Sequence, residues 1–494
     1  METRADGTPA SQNHGTDGLV PSTLRMARWI EAYRARLAEL PVLSRVQPGD
    51  VAAALPEAPP ETPESYEAIL ADLDRIIVPG LTHWNHPGFM AYFCSSSADP
   101  GLLAEFVTAA FNVNAMLWRT APSATELEER MVEWTRRFVG LPESFGGVIQ
   151  DTASTSTFVA LLAARHRAFP DARENGLPAH GGDGTEVGPG RVYGSELAHS
   201  SLDKAVIAAG LGHRNLIRIE VDGRYALRPE ALDRALREDR AAGRVPVAVC
   251  ATIGTTSCAS VDPVEPIADV CAAHDVWLHV DAAYAGPAAA LPELRPRFAG
   301  WERADSIVLN PHKWMSVPLD CSLLLGRELD AFRASLALTP EYLSSDTAAT
   351  NLMDIGLALG RRFRALKLWF VFRREGAAGL RAMIRRHCEL ADRFAAWIET
   401  EPRLELTAPP SFGTVCFRVK AVADDEAGNE AEATASRRLL ERINDDGRIF
   451  LSHTELGGRY TLRLVVGSIH TGPEQLEIAR DVVTTALDGV YSSH

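Results

Sequence analysis

The sequence predicts an α/β protein with a large, mostly parallel sheet, preceded by a helical segment and followed by a small α+β domain. Between about residues 145 and 326, seven short apolar runs alternate with helical patterns, which is typical of parallel strands joined by helices. The part before about residue 98 shows helical apolar spacing and no strand-like run. We therefore expect a helical segment at residues 1–98, a large α/β domain at 99–370 and a small α+β domain at 371–494.

The N-terminal elements are predicted to be helices. From Met26 to Leu40 the apolar residues have helical spacing, and Pro41 is the expected stop. A second helix is predicted in SYEAILADLDRIIVPG, with Ser65 as its N-cap. Because these helices have no strands of their own, we expect them to pack on something else, such as a partner subunit.

The strands of the two later domains follow in order along the chain. The large sheet is predicted from seven runs: GGVIQ, RVYGS, LIRIEV, VPVAVCATI, DVWLHVD, SIVLN and CSLLLG. Each run is short, apolar and bounded by turn residues. After about residue 371, a long helix and the runs TVCFRVK and YTLRLVV predict the smaller α+β domain.

Composition excludes several classes of function. The 494 residues are 46% hydrophobic and 23% charged, and the net charge of −15 argues against a nucleic-acid partner or an anionic membrane surface. No apolar run reaches the roughly 18 residues of a membrane span, and the polar N-terminus has no secretory signal pattern. Seven scattered cysteines without a CxxC pair indicate reduced thiols, so we expect a cytoplasmic protein.

A lysine and an aspartate at strand ends carry the main chemical prediction. Lys313 follows the run SIVLN, and a lysine in a partly dry pocket has a lowered pKa that suits Schiff-base chemistry. Asp281 ends the run DVWLHVD, 313 − 281 = 32 residues earlier, about one strand–helix–strand unit. Ligands bind beyond the carboxyl ends of such strands, and this pair suits pyridoxal phosphate (PLP), with Asp281 holding the ring nitrogen protonated. The alternative is a buried Lys–Asp ion pair.

Three further segments supply candidates for the same crevice. The strand GGVIQ leads into residues 152–156 and a helix, whose N-terminus is a candidate phosphate site or an ordinary capped terminus. His199, at another strand-to-helix junction, is a candidate for stacking on a cofactor ring or for capping the helix. Thr255 and Thr256 follow a further strand, where they line the crevice or finish a turn.

Five segments carry a resemblance to a known family: HVDAAYAG, NPHKW, AHSSLDKA, DTASTSTFVALLAAR and GRRFRALKLWFVFR. They resemble the group II PLP-dependent decarboxylases, close to the aromatic-L-amino-acid decarboxylases, from about Ile30 to near the C-terminus. The resemblance implies a fold type I PLP-dependent transferase-like homodimer with shared active sites, in which residues 1–98 embrace the partner. It implies decarboxylation of an L-amino acid to the amine and CO2.

The resemblance also implies roles for individual residues. Lys313 resembles the lysine that forms the internal aldimine, Asp281 the partner of the ring nitrogen, and His199 the ring-stacking histidine. Tyr342, in ALTPEYLSS, matches the tyrosine of a mobile loop that protonates the substrate carbon. The remaining cofactor positions match residues at the ring, at the phosphate or along the site: Ala283; Ala153, Ser154, Asn310 and His312; and Thr256.

The substrate pocket is also implied by the resemblance. Trp84, Tyr92 and Phe93 match pocket positions and favour an aromatic substrate. Ala115 and Met116 match positions that the neighbouring subunit supplies, where bulkier residues are usual, and Cys94 stands where the family has proline. These departures enlarge or soften the pocket and leave the identity of the amino acid open.

Several alternatives stay open from the sequence. An aromatic aldehyde synthase would use the same fold and cofactor with oxygen consumed, although such enzymes often have phenylalanine in place of the loop tyrosine. An aminotransferase and a non-catalytic dimeric scaffold are weaker alternatives, because NPHKW and HVDAAYAG favour the decarboxylase branch. His83 and His86 lack further ligands for a metal, so we expect no metal site.

Overall fold

The structure is a computed structural model that describes residues 18–177, 188–338, 350–420 and 426–492. Two sheets organise it, one of seven strands and one of four. The chain adds helices before the first sheet, on both of its faces and around the second sheet. Within the described residues, no helix is both long and apolar enough to cross a membrane.

The N-terminal segment is helical, as predicted. Its helices are α1 Leu19–Ala35, α2 Asp50–Ala54 and α3 Tyr66–Asp72, and a π-helical turn, Leu73–Ile77, follows. Helix α1 begins seven residues before the predicted start at Met26, because Pro21 lies in the first turn, where proline is tolerated. The predicted N-cap is confirmed, since the Ser65 hydroxyl accepts a hydrogen bond from the Ala68 N–H at 3.2 Å.

The seven predicted runs form one sheet. Its strands are β1 Gly146–Gln150, β2 Gly190–Ser195, β3 Leu216–Ile219, β4 Val245–Thr252, β5 Trp277–Asp281, β6 Ser306–Leu309 and β7 Ser322–Gly326. Their spatial order is β1-β7-β6-β5-β4-β2-β3, and β7 alone runs antiparallel to its neighbours β1 and β6. The prediction of a mostly parallel seven-stranded sheet is therefore confirmed.

Helices cover both faces of this sheet. In chain order they are α4 Asp99–Phe111, α5 Pro122–Val139, α6 Ala153–Ala168, α7 Ala172–Asn175, α8 Ser201–Ala208, α9 Pro229–Ala241, α10 Val264–Ala273, α11 Pro311–Trp314 and α12 Leu329–Leu336. Two separate hydrophobic clusters contain the side chains of the two sheet faces. Every residue of β5, β6 and β7 is buried, which explains why these strands are continuous apolar runs and not alternating patterns.

The C-terminal part contains the second sheet. Its elements are α13 Ala365–Thr400, β8 Leu404–Leu406, β9 Thr414–Val419, α14 Glu426–Asp446, β10 Ser452–Leu456, β11 Arg459–Val465 and α15 Pro473–Tyr491. The strands are antiparallel in the order β10-β11-β9-β8. Helix α13 runs past residue 371 and bends at Gly376, whose φ is 68°. Helix α13 packs on α4 and α5 beside the seven-stranded sheet and on β8 and β9 of the four-stranded sheet.

The segment after α3 connects the two sheets. The Met90 N–H donates to the Phe450 carbonyl at 3.0 Å, and the Val465 N–H donates to the Met90 carbonyl at 2.8 Å. Further along, the Ala98 N–H donates to the Ser316 carbonyl at 2.9 Å, just past Lys313. Residues 89–98 therefore run from the small sheet to the segment that follows α11, the short helix with the predicted lysine.

Candidate active site

Lys313 and Asp281 come from adjacent parallel strands. Asp281 ends β5, and β6, which pairs with β5, leads through Asn310 into the short helix α11 that carries Lys313. Burial lowers the pKa of Lys313, Asp281 raises it and Arg463 lowers it further. The Asp281 carboxylate is 9% exposed and accepts the Ala283 N–H at 3.0 Å. Among the ion pairs that the described residues form, none joins Lys313 to Asp281.

A group placed between this lysine and this aspartate therefore meets an amine of lowered pKa on one side and a carboxylate on the other. The carboxylate has a backbone N–H as its hydrogen-bond donor and no ion-pair partner within the described part of the chain. A buried carboxylate in this state favours a cationic partner. The pair fits the protonated ring nitrogen and the aldehyde carbon of PLP.

The start of α6 offers an anion site. The N-cap Thr152 makes no side-chain cap bond, and the first backbone bond of the helix is from the Ser156 N–H to the Thr152 carbonyl at 3.0 Å. The N–H groups of Ala153, Ser154 and Thr155 therefore have no partner among the described residues. Such a terminus attracts phosphate through its free N–H groups and the helix dipole.

The side chains of Asn310 and His312, next to Lys313 in the chain, lie near this terminus. Ser156 shares a 2.9 Å hydrogen bond with Ser322, and the adjacent Cys321 N–H donates to His312 Nδ1 at 2.9 Å. Burial, and the nearby Lys313 charge, lower the pKa of His312 to about 4, so its ring is neutral. Because Nδ1 accepts the Cys321 N–H, the ring proton is on Nε2. The buried Asn310 amide oxygen has no hydrogen-bond partner in the described chain. These groups fit a cofactor phosphate between α6 and α11.

His199 follows β2 and is exposed. Its Nδ1 accepts the Ser201 N–H at 3.1 Å and lies 2.9 Å from the Ser201 hydroxyl. A backbone N–H can only donate, so the neutral imidazole carries its proton on Nε2. Desolvation lowers the pKa of His199, while Asp281 raises it and Lys313 lowers it. The charges of both Asp281 and Lys313 therefore act on this histidine.

A stack of three aromatic rings borders Lys313. The Phe93 ring lies 3.6 Å from the Tyr284 ring, and Tyr284 lies 4.6 Å from Trp314, with nearly parallel planes in both pairs. The Lys313 Nζ atom is 5.4 Å from the centre of the Phe93 ring. The Trp314 indole N–H donates to His387 Nδ1 at 3.0 Å, which anchors the stack to α13. Of the predicted pocket residues, Phe93 is thus the one that lies beside the lysine.

Arg463 is a member of this group that sequence reasoning missed. It lies on β11, is 2% exposed, and its guanidinium carbon is 4.5 Å from the centre of the Phe93 ring. Its Nε and Nη2 atoms have no hydrogen-bond partner among the described residues, and burial lowers its pKa. The available signal was an arginine between two leucines in the apolar run YTLRLVV.

The other predicted pocket residues lie in different surroundings. Trp84 and Tyr92 stack with ring centres 5.9 Å apart and are 40% and 51% exposed. Cys94 is 2% exposed, and its thiol donates to the Trp84 carbonyl at 3.4 Å. Ala115 is buried, and Met116 packs in a small cluster with Leu117 and Met353 that is separate from the Phe93 cluster.

The remaining predicted residues that the structure describes lie in a turn, next to Asp281 or beside helix α1. Thr256 is exposed in the turn after β4, whereas the Thr255 hydroxyl is used within that turn in a 2.7 Å bond to Ser260. Ala283 is 7% exposed next to Asp281. Tyr342 lies outside the described residues. His83 bonds to the Tyr33 hydroxyl at 2.8 Å, and no metal-binding group of three ligands occurs within the described ranges.

Comparisons with known proteins show the family to which the chain belongs. Residues 48–420 match the family described as the pyridoxal-dependent decarboxylase conserved domain. The chain is 40% identical over 478 residues to tyrosine decarboxylase 4 of Petroselinum crispum, covering 94% of this chain and 92% of that protein. It is 40% identical to the aromatic-L-amino-acid decarboxylase of Sus scrofa, over 90% of each chain. It is also 37% identical to the phenylacetaldehyde synthase of Arabidopsis thaliana, over 93% of each chain.

A solved structure agrees in fold over nearly the whole chain. The crystal structure of Oryza sativa TDC with PLP and tryptamine superposes with a TM-score of 0.92 and 34% identity, covering 97% of this chain and 99% of that chain. The predicted resemblance and the fold type I architecture are therefore confirmed.

Proposed function

The chain belongs to the family of pyridoxal-dependent decarboxylases, and we propose that it decarboxylates an aromatic L-amino acid to the amine and CO2. The observation that carries the choice of an aromatic substrate is the Phe93 ring, whose centre is 5.4 Å from the Lys313 amine and which heads a stack of three aromatic rings. An aromatic substrate side chain gains dispersion and stacking energy against such a wall. The tyrosine decarboxylase of Petroselinum crispum, at 40% identity, supports the same substrate class.

The cofactor is PLP, which withdraws electrons from the substrate Cα when its ring nitrogen is protonated. We propose that Lys313 bonds to it covalently and that Asp281 keeps the proton on the ring nitrogen. His199 and Ala283 border the ring, and Thr256 lines the site. The phosphate would be held by Ala153, Ser154, Asn310 and His312, where the free N–H groups of α6 and the His312 Nε2 proton support the assignment.

Lys313, His199 and Tyr342 have different roles in binding and transferring protons. Because burial and Arg463 lower the pKa of Lys313, its amine is available as a nucleophile closer to neutral pH than a free lysine is. His199 offers a proton on Nε2 as a hydrogen-bond donor to the substrate, and its lowered pKa keeps the ring neutral. Tyr342 is the group proposed to return a proton to Cα after CO2 leaves, and His199 is the second candidate.

We propose a homodimer with shared active sites for this chain. Large apolar side chains are exposed on α1, α3 and α4: Leu19, Val20 and Leu24; Ile69; and Leu103, Phe106 and Phe111. An apolar surface of this extent favours burial against a second copy. The exposed rings of Trp84 and Tyr92, and the packing of Met116 in a cluster separate from that of Phe93, support pockets completed by a partner. In such a dimer, residues 1–98 embrace the partner subunit.

We also propose that the protein acts in the cytoplasm. Its seven cysteines are all free in the structure, and six of them are buried. This arrangement fits a reducing compartment, where a structural disulfide would not be maintained.

The second candidate function is that of an aromatic aldehyde synthase. The phenylacetaldehyde synthase of Arabidopsis thaliana, at 37% identity, favours keeping it as a candidate. Such an enzyme consumes oxygen and releases aldehyde, ammonia and peroxide together with CO2. Tyr342, in place of the phenylalanine that is frequent in such enzymes, favours simple decarboxylation.

The test is a panel of L-amino acids with CO2, amine and peroxide measured together. We expect one equivalent of amine for each CO2 from tyrosine, tryptophan, phenylalanine or Dopa, and no reaction with aspartate or leucine. Lys313→Ala should abolish the product, and borohydride should no longer fix the cofactor to the peptide that contains residue 313. Lys420→Ala, at an exposed lysine, is the matched control and should keep both. Peroxide equal to CO2 would establish the aldehyde synthase instead, and activity on aliphatic substrates alone would overturn the aromatic assignment.

A further inference from the structure

A chain of hydrogen bonds runs through the core beneath Asp281. The Trp277 indole N–H donates to the Ser306 hydroxyl at 2.9 Å, and His279 Nδ1 lies 2.9 Å from the same hydroxyl. His279 Nε2 lies 3.3 Å from the Thr157 hydroxyl. All four residues are at most 4% exposed, and none of them was identified from the sequence. We call this set the Trp277–Thr157 relay.

The relay has one fixed donor and a neutral histidine at its centre. The Trp277 N–H can only donate, so it uses a lone pair of Ser306 Oγ. The neutral His279 ring carries one proton, so one of its nitrogens donates to a hydroxyl of the relay and the other accepts from the second hydroxyl. Protonating His279 would remove that acceptor, and burial lowers the pKa of this histidine to about 4.

The relay joins the three elements that carry the three parts of the cofactor site. Trp277 and His279 belong to β5, and His279 lies two residues before Asp281 on the same side of the strand. Ser306 begins β6, which leads to Lys313. Thr157 lies in α6, four residues after Ala153 and therefore on the same helix face.

We propose that the Trp277–Thr157 relay, with His279 at its centre, positions the parts of the cofactor site. It fixes Asp281, Lys313 and the first turn of α6 relative to one another. The proposal rests on the assignment of the PLP site made above. The relay residues touch neither cofactor nor substrate; they act by setting the spacing of the groups that do. Because a satisfied buried polar network rigidifies its surroundings, loss of one member should loosen this spacing.

The sharpest test replaces Thr157, because it keeps the shape of the core. Thr157→Val removes the hydroxyl at the end of the relay and leaves the side-chain volume almost unchanged, whereas Thr157→Ser keeps the hydroxyl. The dissociation constant of PLP is measured by absorbance titration of the apo enzyme, and the unfolding temperature of the apo enzyme is measured in parallel. We expect Thr157→Val to bind PLP about tenfold more weakly, the effect of one buried ring nitrogen left without its hydrogen-bond partner, and Thr157→Ser to stay within about twofold of the wild type.

A buried threonine elsewhere separates positioning from stability. Thr135 lies on α5 and is fully buried, and its hydroxyl donates to the Met131 carbonyl of its own helix at 2.8 Å, its one hydrogen-bond partner among the described residues. Thr135→Val should lower the unfolding temperature of the apo enzyme as much as Thr157→Val does, yet leave the PLP dissociation constant unchanged. If Thr157→Val and Thr135→Val bind PLP equally well, the relay is merely structural and the proposal is overturned.

A second variant keeps the test decisive if Thr157→Val does not fold. Trp277→Phe keeps an aromatic ring but removes the first donor, so it should also weaken PLP binding, and unchanged PLP affinity there would overturn the proposal. A wild-type apo enzyme that binds no PLP at all would instead overturn the cofactor assignment itself, which distinguishes the two failures.

Discussion

The guanidinium carbon of Arg463 lies 4.5 Å from the centre of the Phe93 ring. The same ring centre is 5.4 Å from the Lys313 amine, so a buried cation from the small sheet borders the lysine of the large domain. Within the described residues, no carboxylate pairs with this arginine. Its charge therefore acts on Lys313 and lowers the pKa of that amine, against the opposite effect of Asp281.

The first prediction concerns this charge. Arg463→Gln should raise the pKa of Lys313, because the group that disfavours the ammonium form is gone. The amine of the apo enzyme is then protonated up to a higher pH, so the rate of covalent PLP capture should fall at neutral pH and recover at alkaline pH. The pH profile of capture, followed by absorbance, measures this shift.

Arg437→Gln is the matched control for that experiment. Arg437 also lies over an aromatic ring, 5.1 Å from the centre of Tyr460, but it is exposed and not part of the site. Its replacement should leave the capture profile unchanged. Identical profiles for Arg463→Gln and the wild type would contradict the electrostatic role of Arg463.

The second prediction concerns the proposed proton donor. Tyr342→Phe should lower amine formation and raise aldehyde and peroxide relative to CO2, because the Cα carbanion is no longer protonated efficiently and reacts with oxygen. Product ratios under air and under argon measure the change. Tyr66→Phe, at a tyrosine that is 46% exposed on α3, should behave like the wild type. Unchanged amine yield in Tyr342→Phe would move the proton donor role to His199.

The third prediction concerns a buried ion pair that anchors β1. Glu128 accepts the Ile149 N–H at 2.8 Å and pairs with Arg361, which also donates to the Ile149 carbonyl at 3.1 Å. Both side chains are at most 4% exposed. Glu128→Gln should lower the free energy of unfolding by roughly 3–5 kcal/mol, because it leaves a buried guanidinium without its counter-charge.

Denaturant unfolding of the apo enzyme measures that loss. The double variant Glu128→Leu/Arg361→Met should recover part of it, because no buried charge is left unpaired. Glu477→Gln, which removes the partner of Arg480 in a pair whose side chains are 54% and 39% exposed, should cost less than about 1 kcal/mol. Equal losses for Glu128→Gln and Glu477→Gln would contradict the importance of burial.

The fourth prediction concerns acid stability. Burial lowers the pKa of His86, His279 and His312 to about 4 and that of His387 to about 3. Between about pH 6.5 and 4 the unfolded chain binds these protons and the folded chain does not, so stability is lost as pH falls. Each such histidine contributes up to about 1.4 kcal/mol per pH unit in this range.

Unfolding free energies of the apo enzyme at several pH values measure that slope. His387→Gln keeps an acceptor for the Trp314 indole but cannot take up a proton, so it should flatten the slope. A stability that does not change between pH 6.5 and 4 would contradict the neutral state of these rings.

The fifth prediction concerns the proposed dimer. Phe106 is 55% exposed on α4, between Leu103 and Phe111, which are also exposed. Phe106→Asp should convert the dimer to monomer and lower activity, because it places a charge in the surface that a second copy would cover. Sedimentation measures the oligomeric state. Ile207→Asp, at an apolar residue that is 56% exposed on α8, is the control and should remain dimeric.

The sequence was informative where local pattern and spacing determine structure. The seven apolar runs became the seven strands because buried strands need continuous apolar residues. The adjacency of Asp281 and Lys313 followed from the length of one strand–helix–strand unit. The direction of β7 did not follow, because CSLLLG is equally apolar in either orientation.

Other features depend on contacts between distant parts of the chain. The site of Arg463 beside Phe93 requires the small sheet to meet residues 89–98, and no local pattern specifies that contact. A long helix was predicted after about residue 371, but its start at Ala365 was missed, because helical periodicity does not show where a helix changes its packing partners. The His279 hydrogen bonds were hidden because a histidine in an apolar strand looks like a core residue.

Side chains from an early and a late part of the chain meet at Lys313, and this has a consequence for biogenesis. Phe93 and Arg463 border the same amine although they are 463 − 93 = 370 residues apart. During translation, the lysine leaves the ribosome well before the arginine is synthesised. We therefore expect the proposed covalent loading of Lys313 to follow completion of the chain, since a prematurely terminated product would lack Arg463 and present an unfinished pocket.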